Sequence, residues 1–239
     1  MFDSFTLRTD QENSSAGVAV EEDTRLLTEV HETAGQPVIR LWTNSPSIVV
    51  PTRDSRLPEF EQARTTMQQH GYEVAVRSSG GTAVLHNAQV LNASVIFRTP
   101  KADKVSMELG YQKLLDLFDL LVPELAGRAY FASIPGAYCD GDYNLVIDGQ
   151  KIAGTAQRIK SAGAHIDHRT ILAHMSLLVT VDALQMEKVI NLYYGALKSE
   201  VRVREGVSSS IDQFCTGDIS CASIIAAFTE AYPGGTITS

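Results

Sequence analysis

Hydrophobic positions along the chain switch between two periods, and the switches mark out the elements. VAVEEDTRLLTEVHETAG places Val20, Leu26, Leu27 and Val30 on one helical face, with Gly35 near the stop. VIRLW and SIVVP read as two short strands joined at Asn44–Ser45–Pro46, a turn signal. LPEFEQARTTMQQHGY follows as a helix, with Pro58 suited to its first turn and Gly71 to its C-terminal stop. YEVAVR, GTAVLH and VLNASVIF predict three strands. MELGYQKLLDLFDLLVPEL then carries a helical stripe of Met107, Tyr111, Leu114, Leu115, Phe118 and Leu121, limited by Pro123.

The second half continues in the same way. YNLVI and KIAGTAQR predict paired strands turned at Asp148–Gly149, a favoured two-residue hairpin loop. RTILAHMSLLVTV is apolar and β-prone. DALQMEKVINLYYGAL predicts a helix capped by Asp182, and DISCASIIAAFTEAY a last helix starting near Asp218. Residues 1–16 are polar and read as irregular. Helices interspersed with adjacent strand pairs predict an α/β (α+β) fold, a mixed and mostly antiparallel sheet with flanking helices. With neither an internal repeat nor a low-complexity linker, the expectation is one domain over 1–239, its core at about 40–200 and its last helices reaching about 232.

Composition narrows the function classes. Apolar residues at 44% suffice for a real core, and a net charge of −8 argues against a nucleic-acid surface. The absence of an 18-residue apolar run argues against a membrane span. The start lacks the basic and apolar regions of a signal peptide. Three cysteines without CxxC spacing suggest neither a disulfide framework nor a zinc site, so a reducing cytoplasmic setting is expected.

Cys139 raises a question of chemistry, because it lies in a Gly- and Asp-rich stretch, GAYCDGDYNLVIDGQKIAGTAQR, rather than in an apolar run. A nucleophilic thiolate needs a positive group nearby in space, and Asp140 and Asp142 would oppose it if they faced the sulfur. Lys151 is the next lysine along the chain, and the spacing leaves open whether it reaches the sulfur or Cys139 is an unreactive loop residue. In RSSGGTAVLHN, Gly80 and Gly81 fit either a loop whose backbone approaches a ligand or a plain hairpin turn. Arg77 suits a bidentate contact to a carboxylate or phosphate, and His86 is either a base or a hydrogen-bonded, half-buried ring. His165 and His168 in HIDH lack a third ligand, so no metal site is expected; His174 reads as a satisfied core residue. Cys215 and Cys221 read as packing residues.

Taken together, RSSGGTAVLHNAQVLNASVIF and DYNLVIDGQKIAGTAQR resemble the two motifs of the biotin/lipoate protein ligase superfamily, across about residues 40–200. Asp54-Ser55-Arg56-Leu57-Pro58, Gly136-Ala137-Tyr138-Cys139 and Gly149-Gln150-Lys151 resemble its cysteine-dependent amidotransferase branch, the octanoyl/lipoyl transferases that draw on a glycine cleavage H protein. Asp140 stands where that branch often has proline, Asn144 where aspartate is usual, and Thr82 where the ligases have a third glycine.

The resemblance implies the catalytic-domain fold of that superfamily and a thioester on Cys139, with Lys151 beside the carbonyl. It further implies an acyl site lined by Arg77, Ser79, Gly80, Gly81, His86, Asn92 and Gly154. The implied donor is a glycine cleavage H-type protein and the implied acceptors are lipoyl domains of 2-oxoacid dehydrogenase E2 subunits. Neither cofactor, nucleic acid nor membrane is implied. An octanoyl-acyl-carrier-protein donor uses the same Cys and Lys. An ATP-dependent ligase would need an adenylate site and usually an accessory domain, for which the roughly 35 residues after position 204 leave little room. A lipoyl-domain binding module would have no need of Cys139 and Lys151.

Overall fold

Phe5 and Leu7 are apolar side chains in a mostly polar N-terminal segment, and both enter the core. In the computed structural model, which describes residues 4–10, 15–33, 35–103, 106–163 and 166–233, they tie down an edge strand where the sequence predicted irregular chain. The elements in order are β1 (Thr6–Asp10), α1 (Ala16–Glu32), β2 (Val38–Trp42), β3 (Ser47–Pro51), α2 (Phe60–Gln69), β4 (Glu73–Arg77), β5 (Val84–His86) and β6 (Val90–Pro100). Then follow α3 (Glu108–Leu121), β7 (Tyr130–Ala132), β8 (Asn144–Ile147), β9 (Gln150–Lys160), β10 (His168–Leu178), α4 (Ala183–Ala196) and α5 (Cys221–Ala231).

Seven strands form one sheet in the order β1-β2-β6-β10-β9-β8-β7, antiparallel throughout except for the β1/β2 edge. The other three form a small sheet, β4-β3-β5, with β3 parallel to β4. The mixed, mostly antiparallel architecture is the expected one. β2 and β3, adjacent in sequence, diverge into different sheets. The Asn44–Pro46 turn is therefore a crossing point between sheets.

Alternation along β6 and β10 builds the core. Leu91, Ala93, Val95 and Phe97, with Ile171, Ala173, Met175 and Leu177, face α3 and α5. The opposite face carries Asn92, Ser94, His174 and Ser176, polar groups that a sheet buries only with partners. α1 covers part of this face through Leu26, Leu27 and Val30 on Val38, Ile96 and Leu172. The small sheet with α2 and α4 encloses a separate cluster that includes Tyr138 and Cys139.

Local signals set most boundaries. Asp182 caps α4 by accepting from the Gln185 N–H, as expected. Asp148 and Gly149 both adopt positive φ (50° and 79°), the hairpin geometry expected there. α5 starts three residues later than predicted, because Ser220 forms a capping box with Ser223. Pro58 lies in the turn before α2 rather than inside its first turn. Among the described residues no helix is long and apolar enough to cross a membrane.

Candidate active site

Lys151 lies near the start of β9, with Ile152 and Ala153 after it in the core, and its own side chain is fully buried. Its backbone is clamped by a later segment: Lys151 N–H donates to Val207 O (3.0 Å) and Ser209 N–H donates to Lys151 O (2.9 Å). Glu187 on α4 holds that segment by accepting from the N–H groups of Gly206 and Ser208. The Lys151 ammonium donates to the carbonyls of Tyr138 and Cys139, the latter at 3.1 Å, and lies 4.0 Å from the centre of the Tyr138 ring. An ammonium has three donors, so one remains. Burial lowers its pKa to about 8, with partial compensation from Cys139 and Asp140. The structure thus brings Lys151 and Cys139 together, which the spacing alone left open.

Cys139 is held in a left-handed backbone conformation (φ 45°) that ordinary residues avoid. Thr82 fixes it from both sides. Its hydroxyl accepts from the Cys139 N–H at 2.7 Å, and its own N–H donates to Cys139 Sγ at 3.4 Å. An N–H aimed at a sulfur stabilises negative charge there. Tyr194 in turn accepts from the Ala83 N–H at 2.8 Å, anchoring the Thr82–Ala83 segment to α4.

Gly81 adopts φ 96°, and a Cβ built there would overlap Cys139 Sγ and stand 2.9 Å from Arg77 Nη2. Only glycine lets the sulfur and the guanidinium share that side of the loop. Gly81→Ala is therefore expected to displace the sulfur and slow alkylation of Cys139 by iodoacetamide about 100-fold. An unchanged alkylation rate would show that the loop and sulfur do not crowd each other.

Arg77 does not present its guanidinium to a ligand as the sequence suggested. Its N–H groups go to the carbonyls of Val49, Gly80 and Thr82, so it folds the Gly-rich loop while bringing a positive charge near the sulfur. Asp140 does not oppose the thiolate by facing it. Its carboxylate turns back to accept from Ser133 Oγ, the Ile134 N–H and Asn144 Nδ2.

A pocket of about 640 Å³ opens inward from Cys139. Its walls come from the polar face of the large sheet, from α1 and from the small sheet, including Val20, Trp42, Val49, Val84 and Leu172. Arg77, Ser79, His86, Asn92 and Gly154 all line it. Gly80 and Gly81 do not; they line a second, outer cleft of about 580 Å³ on the solvent side of Cys139. Gly154, Ser176, Asn92 and Trp42 form one cross-strand row in the inner wall.

His86 is not a base at neutral pH. It is buried against Trp42, and burial, with Arg77 and His174 adding to it, lowers its pKa to about 3. Ser176 Oγ donates to Asn92 Oδ1 at 2.7 Å, so the 3.1 Å contact of His86 Nε2 with Ser176 Oγ makes Nε2 the protonated nitrogen. His174, expected in the core, is half-buried on the pocket wall with Nδ1 3.6 Å from Asp23 Oδ2. Asp23 also accepts from Arg40 and Ser94. Burial opposes its charge, but His174 and Arg40 outweigh that and hold its carboxyl below the ordinary range.

The sequence reading singled out Tyr138 and Thr82 without giving them a role and passed over Glu187 and Asp23, because their contacts are set by the tertiary fold. Cys221 is buried in the core and Cys215 packs against it, as expected. His165 lies outside the described residues; His168 contacts the His31 carbonyl and Asp167. Among the described residues no cluster of three His, Cys, Asp or Glu is placed to hold a metal ion.

Comparison with known proteins bears on this geometry. A family model described as the lipoyl protein ligase A/B catalytic domain matches residues 15–233. An octanoyl-GcvH:protein N-octanoyltransferase of Kyrpidia tusciae is 37% identical over 180 residues, which are 74% of this chain and 62% of that protein. One from Lysinibacillus sphaericus is 37% identical over 136 residues, 57% of this chain and 49% of that protein. The chain therefore spans less than two thirds of the length of these curated relatives. A solved lipoate-protein ligase A bound with ATP superposes over 99% of this chain and 90% of its own, with a TM-score of 0.73 and 15% identity, a likeness of fold.

Proposed function

The chain belongs to the lipoyl protein ligase A/B catalytic-domain family, and from that premise we propose that it is a cysteine-dependent acyltransferase. In this reading it moves an octanoyl or lipoyl group from a lysine of a glycine cleavage H-type protein to a lysine of a lipoyl domain. The observation that carries the proposal is the placement of Cys139, where a largely apolar inner pocket meets an open outer cleft, with two cations beside it.

The acyl chain lies in the inner pocket. Seven chain carbons beyond the carbonyl, each worth about 0.8 kcal/mol when buried, supply roughly 6 kcal/mol toward holding it. The Cys139 sulfur attacks the donor amide carbon, the C–N bond breaks, and the departing lysine amine takes the proton the thiol gave up. Attack of the acceptor lysine on the thioester reverses these changes, so the overall exchange of one amide for another needs no ATP. Lys151 and the Thr82 N–H stabilise negative charge on the sulfur and on the carbonyl oxygen as it develops. Arg77, Ser79, His86, Asn92 and Gly154 shape the acyl site; neutral His86 orients Ser176 and Asn92 rather than moving protons.

The test is to mix the protein with an octanoylated H-type protein and a lipoyl domain, with and without ATP, and follow all three by intact mass. Octanoyl mass is expected to pass transiently through this chain and to reach the acceptor equally in both mixtures. A requirement for ATP would replace this reading with that of a ligase.

A further inference from the structure

Both cavities touch Cys139, Thr155 and Ala156, and they differ in chemistry. The inner pocket receives Arg158, His174, Arg77 and His86 on its walls. The outer cleft contains no Lys, Arg or His among its twelve lining residues and two aspartates, Asp140 and Asp142. With Asp140 engaged by its own turn, the exposed Asp142 is the carboxylate of the cleft that has neither a hydrogen-bond nor an ion-pair partner among the described residues.

Two aromatic rings line this cleft, Tyr111 and Tyr143. Tyr111 and Tyr143 stack at 4.0 Å with their planes 5° apart, and Phe131 braces both edge-on. Gly80 and Gly81 also line it, and Gly81 lies against the sulfur with no side chain to cover it. A cavity lined by aromatic rings and an exposed carboxylate, with no cation among its lining residues, matches a slender alkyl chain ending in an ammonium.

We propose that the outer cleft is the amine site, taking the butylammonium arm of a protein lysine. The same cleft serves the lysine that leaves the donor and the lysine that attacks the thioester. This rests on the acyl-transfer reading above. With the acyl chain seated inward, the outer cleft is the cavity that reaches the sulfur from the solvent side, so both amines share it. Asp142 draws the ammonium in, and the methylenes lie along Tyr143. The ammonium loses one proton to solvent before attack. The amine nitrogen then bonds to the acyl carbon as the C–S bond breaks, and its second proton passes to the departing sulfur.

The experiment starts from acyl-enzyme prepared with the octanoyl thioester of N-acetylcysteamine, whose leaving group is uncharged. Decay of the acyl mass is followed with Nα-acetyl-lysine methylamide and, separately, with hydroxylamine, which is small and uncharged at neutral pH. In Asp142→Lys the lysine rate is expected to fall about tenfold relative to the hydroxylamine rate, because the carboxylate has become a like charge for the incoming ammonium. Tyr143→Leu, which removes an aromatic ring from the lining without changing charge, is expected to lower the same ratio severalfold. High salt should shrink the Asp142→Lys effect and leave that of Tyr143→Leu. A ratio unchanged in both variants overturns the amine site while leaving the acyl-enzyme intact. Failure of the wild-type chain to acquire acyl mass at all would instead remove the underlying transferase reading.

Discussion

Cys139→Ala is expected to reduce transfer by roughly four orders of magnitude or more, because removing the nucleophile forces a direct exchange between two amides. The fold should survive. The sulfur contributes one hydrogen bond, from the Thr82 N–H, and the backbone clamp from Thr82 Oγ1 to the residue 139 N–H stays in place without it. Backbone strain sharpens the prediction. At φ 45° an alanine pays about 1 kcal/mol that a glycine does not. Cys139→Gly should therefore be as inactive as Cys139→Ala but more stable in urea unfolding. That ordering reverses the usual cost of glycine and reports that the chain tolerates strain to aim this sulfur. Turnover within about tenfold of wild type in either variant would take Cys139 out of the mechanism, and an alanine variant more stable than the glycine one would mean the strain is absent.

The sequence made the periodic elements legible because each carries its own signal. The stripe of α3, the Asp182 cap of α4 and the Asp148–Gly149 turn are all local. β1 and β7 were not legible, since edge strands bury few side chains and leave little alternation to read; β1 is recognisable only once Leu7 is seen packed in the core. The motif residues themselves stood out by type and by resemblance. Their roles did not, because a role depends on register and on distant partners. Arg77 looks like a ligand clamp until the carbonyls of Val49, Gly80 and Thr82 are seen to occupy it. His174 looks like core until β10 is registered against β6 and α1 brings Asp23 over it.

Two departures from the branch pattern explain each other in the same way. Asp140 accepts from Asn144 Nδ2 at 3.0 Å, and Asn144 also donates to Gly141 O. An aspartate at 144 would place a second carboxylate against the first, so the asparagine and Asp140 belong together. Thr82, the third departure, supplies the hydroxyl that a glycine lacks and holds the Cys139 backbone. These departures change how the turn at the sulfur is fastened and leave the pairing of Cys139 with Lys151 in place.

On the acyl-transfer reading proposed above, Lys151→Met is expected to slow transfer roughly 100- to 1,000-fold by removing the buried charge beside Cys139 that this reading assigns to the developing oxyanion. The same substitution has a second, independent signature. Burial lowers the Lys151 pKa from its ordinary 10.5 to about 8, so the folded chain holds this proton less tightly than the unfolded chain does. Below pH 8 both states are protonated and the fold carries the whole penalty of a buried ammonium. Between 8 and 10.5 the folded state releases its proton first, and the penalty disappears. Measured against Lys151→Met, wild-type stability should therefore rise by about 3 kcal/mol from neutral pH to about pH 10.5. Taking the difference between the two proteins cancels groups common to both, and the unpaired Tyr138 and Cys139 carbonyls of the variant add a term that does not titrate. A difference that stays flat over this window would mean the ammonium is not desolvated, and a normal acylation rate would reduce Lys151 to a strut beneath the Cys139 turn. A slow variant with the expected pH dependence would instead mean that the chain keeps a destabilising charge at this place for the sake of the reaction.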